Sequence, residues 1–122
     1  MIGSVLSALV ALSFFSLAAG ALVAPTELAE NYGLPVTGEP AVAYVRALGA
    51  RDAVLGILIL RFLATGARGS LGATVGLSAL VGASDFSIVC AARGFDAKKN
   101  LAIHGLGTVG LVAVWAFVRA GL

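Results

Sequence analysis

The chain has 122 residues, 60% of them hydrophobic and 11% charged, with a net charge of +2 and a mean hydropathy of +1.04. A soluble domain is about a quarter charged, so this composition predicts a membrane protein, and four segments of about 20 apolar residues with short connections use up the chain. Nucleic acid is excluded as a partner because Lys98-Lys99 is the longest basic run and no basic stripe is interleaved with aromatics.

The first apolar segment, residues 2–24, lacks the positive flank of a signal peptide and runs past the usual length of one, so it reads as a retained transmembrane helix that Pro25 ends. The polar stretch 26–40 is the longest extramembrane piece. Within it Thr26 is placed to cap a short interfacial helix, Glu27 and Glu30 favour its first turns, and Gly33 with Pro35 stops it before a turn at Gly38. Further transmembrane helices are expected over about 41–65, 70–92 and 100–120. The connections at 66–69 and 93–99 are short, so successive helices should be antiparallel neighbours. The fold class that follows is all-α: one domain over residues 1–122, an antiparallel bundle of four transmembrane helices.

Small residues recur at helix-packing spacing, at Ser16 and Gly20, Gly72 and Gly76, Ala79 and Gly82, then Gly105, Gly107 and Gly110. The last three match G-x-G-x-x-G, but no strand precedes them and the chain ends at Leu122, so packing is the reading. Cys90, alone in an apolar helix, excludes an internal disulfide and Cys-x-x-Cys chemistry. Basic residues tie between the two membrane sides; Arg61 and Arg68, flanking the shortest loop, favour both termini inside.

Five ionisable groups interrupt the apolar segments: Arg46, Arg51, Asp52, Asp85 and His104. A charge at the centre of a bilayer helix costs about 2.5–3.5 kcal/mol even on mild scales, so each needs a partner or water. At 1.5 Å per residue, Arg46 lies about 8 Å into its helix, Arg51 and Asp52 about 15–17 Å, Asp85 about 10 Å and His104 about 6–9 Å, all from the same membrane side. Adjacent helical positions point about 100° apart, so Arg51 and Asp52 are not expected to neutralise each other, and Arg46 has no acid at i+3 or i+4. Partners are therefore expected from other helices, Asp85 for an arginine and His104 for either aspartate, and the five groups together sum to zero charge. Ser78, Gly82 and Asp85 share one helix face, and His104, Gly107 and Thr108 another.

Arg51, Asp52, Asp85 and His104 are the candidate catalytic residues, and Arg46, Ser78, Thr108 and Tyr32 the candidate substrate contacts. Arg46 alone also reads as an arginine snorkelling to headgroups, as do Arg61 and Arg119. A metal site is disfavoured by the single histidine.

The run from Arg46 through Gly49, Arg51 and Asp52 to Gly56, with Asp85 before Phe86 and His104 before Gly105, resembles a family of small four-helix membrane proteins catalogued as a domain of unknown function, itself similar to DoxX-like proteins. The resemblance covers nearly the whole chain. It implies four transmembrane helices, marks Arg51, Asp52, Asp85 and His104 as the matching positions, and supplies no reaction.

Three functions remain open. One is a cofactor-independent acid/base enzyme, an isomerase, cyclase or epoxide-opening enzyme for a lipophilic small molecule. In it Asp52 and Asp85 divide the acid and base roles, His104 exchanges the proton and Arg51 stabilises a developing oxyanion. The second is a small proton-coupled carrier. The third is an accessory membrane protein whose ion pairs fix assembly. The lipid bilayer is the expected environment throughout, and a homodimer fits each reading.

Overall fold

The computed structural model describes all residues, Met1–Leu122, and is helical almost throughout. The helices are α1 (Ile2–Val23), α2 (Pro25–Tyr32), α3 (Glu39–Ala64), α4 (Arg68–Arg93) and α5 (Lys98–Ala120), with a 3-10 turn, Gly94–Ala97, between the last two.

The short α2 starts differently from the expectation. Pro25 occupies its first turn and Ala24 its N-cap, while the Thr26 hydroxyl, already inside the helix, bonds the Glu27 carboxylate at 3.1 Å. Proline's fixed φ suits the first helical position, where its missing N–H costs nothing, so it displaces the cap. At the other end Gly33 takes φ 107°, and a side chain there would also collide with Asn100 and Val89. Pro40 likewise lies in the first turn of α3, which therefore begins at Glu39, ahead of the expected 41.

The four long helices pack mainly as two pairs, α1 with α3 and α4 with α5. In the first pair a Cβ on Gly49 would overlap the Ala21 Cβ, and one on Gly56 would come within 3.0 Å of Phe15. These two glycines let the backbones of α1 and α3 meet. In the second pair Gly76 seats Trp115 and Gly82 seats the Thr108 hydroxyl. The expected packing role of Gly107 and Gly110 is not met, because nothing lies within 4 Å of a Cβ built on either, and Gly105 only just reaches Phe86. Spacing identifies a small-residue face, but the partner's position decides whether the face is used.

The pairs join around a core of Ala11, Phe14, Ile59, Leu71, Val75, Val114 and Val118. The chain ends meet beside it, with the Gly3 N–H donating to the Leu122 carbonyl at 2.9 Å. At the opposite end α2 sits over the bundle, with Ala29 packed against Ala21 and Val45.

Two helical stretches, Ile2–Val23 and Arg68–Ala120, are long and apolar enough to cross a membrane; the second comprises α4, the 3-10 turn and α5. α3, which carries Arg46, Arg51, Asp52 and Arg61, is not one of them.

Candidate functional site

Between the two helix pairs, beneath α2, lies a cavity of about 520 Å³, within the size range of small-molecule sites. Most of its lining is apolar, including Phe14 and Leu17 of α1, Leu28 of α2, Leu48 of α3 and Leu111 of α5. Its polar groups are Tyr44, Arg51 and Asp52 of α3, Ser78 and Asp85 of α4, His104 and Thr108 of α5, and Asn31 and Tyr32 of α2.

Arg51 holds the charged part together. Its Nε donates to Asp52 Oδ1 at 3.0 Å, its Nη2 lies 2.9 Å from the same oxygen, and Nη2 is 3.7 Å from Asp85 Oδ2. The sequence expectation that Arg51 and Asp52 could not pair is thus corrected: the arginine stem is long enough to fold back round the helix. Asp52 is the more enclosed acid, its side chain 7% exposed against 15% for Asp85 and 34% for Arg51. A carboxylate that deep is retained only with a cation and hydrogen bonds around it.

His104 does not pair with an aspartate, as expected from sequence. Its Nε2 lies 2.8 Å from the Tyr32 backbone carbonyl, and its ring stands edge-on to the Tyr32 ring, centroids 4.6 Å apart at 69°. A carbonyl only accepts, so Nε2 carries the hydrogen of this contact. Carbonyls at the end of a helix lack the regular helical partner, and three side chains of α4 and α5 bond those at and just past the end of α2. Besides His104, Asn100 Nδ2 donates to Glu30 O at 3.3 Å and Asn31 O at 2.8 Å, and Arg93 Nη1 donates to Gly33 O at 3.2 Å. Sequence reasoning missed Asn100 and Arg93 in this role. The available signal was that Asn100 precedes His104 by four residues, which puts both on one face of α5.

Tyr32, the last residue of α2, turns its ring into the cavity. Burial and the neighbouring Asp85 carboxylate hold its phenol above the ordinary tyrosine value. Ser78 and Thr108 also line the cavity, but each hydroxyl donates to its own helix, Ser78 to Thr74 O at 2.9 Å and Thr108 to His104 O at 2.8 Å. Their lone pairs alone face inward.

Arg46 is not brought to the site. It is exposed and lies 3.9 Å from Glu39, one pitch and more back along α3, and it does not line the cavity. The expected neutral sum therefore fails, since Arg51 is the only formal cation facing two carboxylates. No three His, Cys, Asp or Glu side chains come together as a metal-binding group. Cys90 packs beside the Val89, Ala97 and Leu101 cluster, away from the cavity.

No curated protein and no solved structure matches the chain. Residues 11–119, a span that holds all four of Arg51, Asp52, Asp85 and His104, match the model of a domain of unknown function, DUF4267, and the chain belongs to that family.

Proposed function

We propose that this is a multi-pass integral membrane protein whose cavity performs acid/base chemistry on a lipophilic small molecule, an isomerisation, cyclisation or epoxide opening. All four long helices cross the bilayer in this reading, with both termini inside. Only 22% of the apolar window in Ile2–Val23 and 17% of that in Arg68–Ala120 is buried, whereas the core helix of a soluble protein would bury most of such a window; lipid is the solvent that suits the remainder. α3 crosses with its charges turned onto one another and into the cavity, the arrangement in which intramembrane ionisable groups are tolerated.

The observation that carries the chemistry is the Arg51–Asp52–Asp85 cluster forming one wall of an otherwise apolar cavity. Arg51, with two nitrogens turned on carboxylates, serves as their holder rather than as an oxyanion stabiliser. Asp52, gripped from two nitrogens, fixes the arginine. Asp85, more loosely held and beside Tyr32, is the acid placed to reach a substrate. With His104 exchanging the proton, one group delivers a proton to an alkene or epoxide oxygen and another removes one, so no cofactor is required. Positive charge that develops on the hydrocarbon meets two carboxylates and a single cation, so the site favours cationic transition states.

A carrier reading is less favoured because the titratable groups facing the cavity lie on one side of the apolar core of Ile59, Leu71, Val75 and Val114. The test is product formation by purified protein from a panel of epoxides, polyenes and enones, with Asp85→Asn alongside. Loss of turnover at an unchanged melting temperature supports catalysis, whereas a wild-type protein that converts none of the panel removes the enzyme reading.

A further inference from the structure

The charges and hydrogen-bonding groups facing the cavity are unequal, and the inequality specifies a ligand. α1 and α2 contribute no formal charge to the lining, α5 contributes only His104, whose Nε2 is held by the Tyr32 carbonyl, and α3 and α4 contribute Arg51, Asp52 and Asp85. Arg46 spends its charge on Glu39 outside the cavity. One carboxylate therefore has no cation of its own within a wall that is mostly hydrocarbon, where an unpaired charge is strongly disfavoured.

Several donors are already engaged. The Arg51 Nε and Nη2 are turned on the two carboxylates, His104 Nε2–H is spent on the Tyr32 carbonyl, and the Ser78 and Thr108 hydroxyl hydrogens are spent on their own helix. The carboxylate oxygens and two hydroxyl oxygens face inward as acceptors, beside the phenols of Tyr32 and Tyr44 and the Asn31 amide.

We infer that the cavity binds a lipophilic ammonium, a compact hydrocarbon body carrying one protonated amine directed at Asp85 and Asp52. This rests on the reading of the cavity as a ligand site given above, and it names the charge and donor character of the head group. An ammonium brings a second cation and three N–H donors to two carboxylates that share one arginine, while its hydrocarbon body covers Leu28, Leu48 and Leu111. An isosteric alcohol brings one donor and no charge, and an isosteric carboxylate adds a second uncompensated anion.

The test is calorimetric titration of the full-length protein in nanodiscs of zwitterionic lipid, against empty nanodiscs, with 1-adamantanamine, 1-adamantanol and 1-adamantanecarboxylate at neutral pH. The amine is expected to bind at least about tenfold more tightly than the alcohol, the ratio set by one hydrogen bond to a charged group, and the carboxylate most weakly. Asp85→Asn should bring the amine down to the level of the alcohol and leave the alcohol unchanged. If that variant fails to fold, the wild-type series decides alone. Binding of alcohol and amine with equal affinity would overturn the ammonium inference, showing that a proton already neutralises the pair, and would leave the cavity standing as a ligand site. Absence of binding by all three would overturn both.

Discussion

Arg51 bridges two acids of unequal depth, and that inequality separates their roles. Replacing Asp52 by Asn strips the charge from the oxygen that both close guanidinium contacts reach, and the melting curve should show a loss of about 1–3 kcal/mol. Asp85→Asn removes a looser contact of a partly exposed arginine, so its cost should stay under about 1 kcal/mol. Equal losses from the two variants would mean that Arg51 does not distinguish them. Tyr32 gives a second check. Its phenol is held above the ordinary value by burial and by Asp85, whereas the unfolded chain ionises near about pH 10. The neutral phenol's contribution to stability is therefore intact below about pH 10 and is lost as pH climbs through the higher folded value. Phenolate absorbance of Tyr44→Phe, which leaves Tyr32 as the only tyrosine, should show a midpoint well above 10 in the folded protein; a midpoint at about 10 would place the ring in water. The sequence singled out Arg51, Asp52 and Asp85, which the fold brings together, because charges in apolar segments stand out. It did not show who pairs with whom, since a flexible arginine stem can reach a neighbour that helix geometry alone turns away.

The helices meet where glycine allows it. Gly49 touches α1 closely enough that Gly49→Ala should cost about 1–3 kcal/mol through overpacking, whereas Gly110→Ala, in open space, should be neutral or slightly stabilising through helix propensity. A reversed order in thermal unfolding would contradict the α1–α3 packing. α2 depends on contacts from elsewhere, with its terminal carbonyls held by Asn100, Arg93 and His104. Asn100→Ala should raise amide exchange in residues 25–34 severalfold while α4 and α5 stay protected; uniform exchange in both proteins would show that the tether carries no weight. The long helices were legible from apolar runs and breakers. Their use of small residues was not, because Gly49 and Gly56 pack while Gly107 and Gly110 stand free, a difference that depends on where the neighbouring helix lies.

On the scale of the whole molecule, two helix pairs join around an apolar core and part at the end covered by α2, which leaves an apolar cavity with a charged wall. That Arg51, Asp52, Asp85 and His104 lie near one another was readable from residue counting and antiparallel connectivity, whereas the turn of Arg46 away to Glu39 was not. The cavity itself was not readable, because it is the space left between pairs whose separation no single helix encodes. Gly107 offers the most direct test that chemistry takes place there. It lines the cavity, and nothing lies within 4 Å of a Cβ built on it, so Gly107→Phe fills the space without displacing a neighbour. Gly110→Phe puts the same ring on the same helix outside the lining and serves as its control. Turnover of whichever panel compound the wild type converts should be lost in Gly107→Phe and kept in Gly110→Phe, with both melting within a few degrees of wild type. Full activity in Gly107→Phe would contradict the assignment of the cavity as the site of reaction.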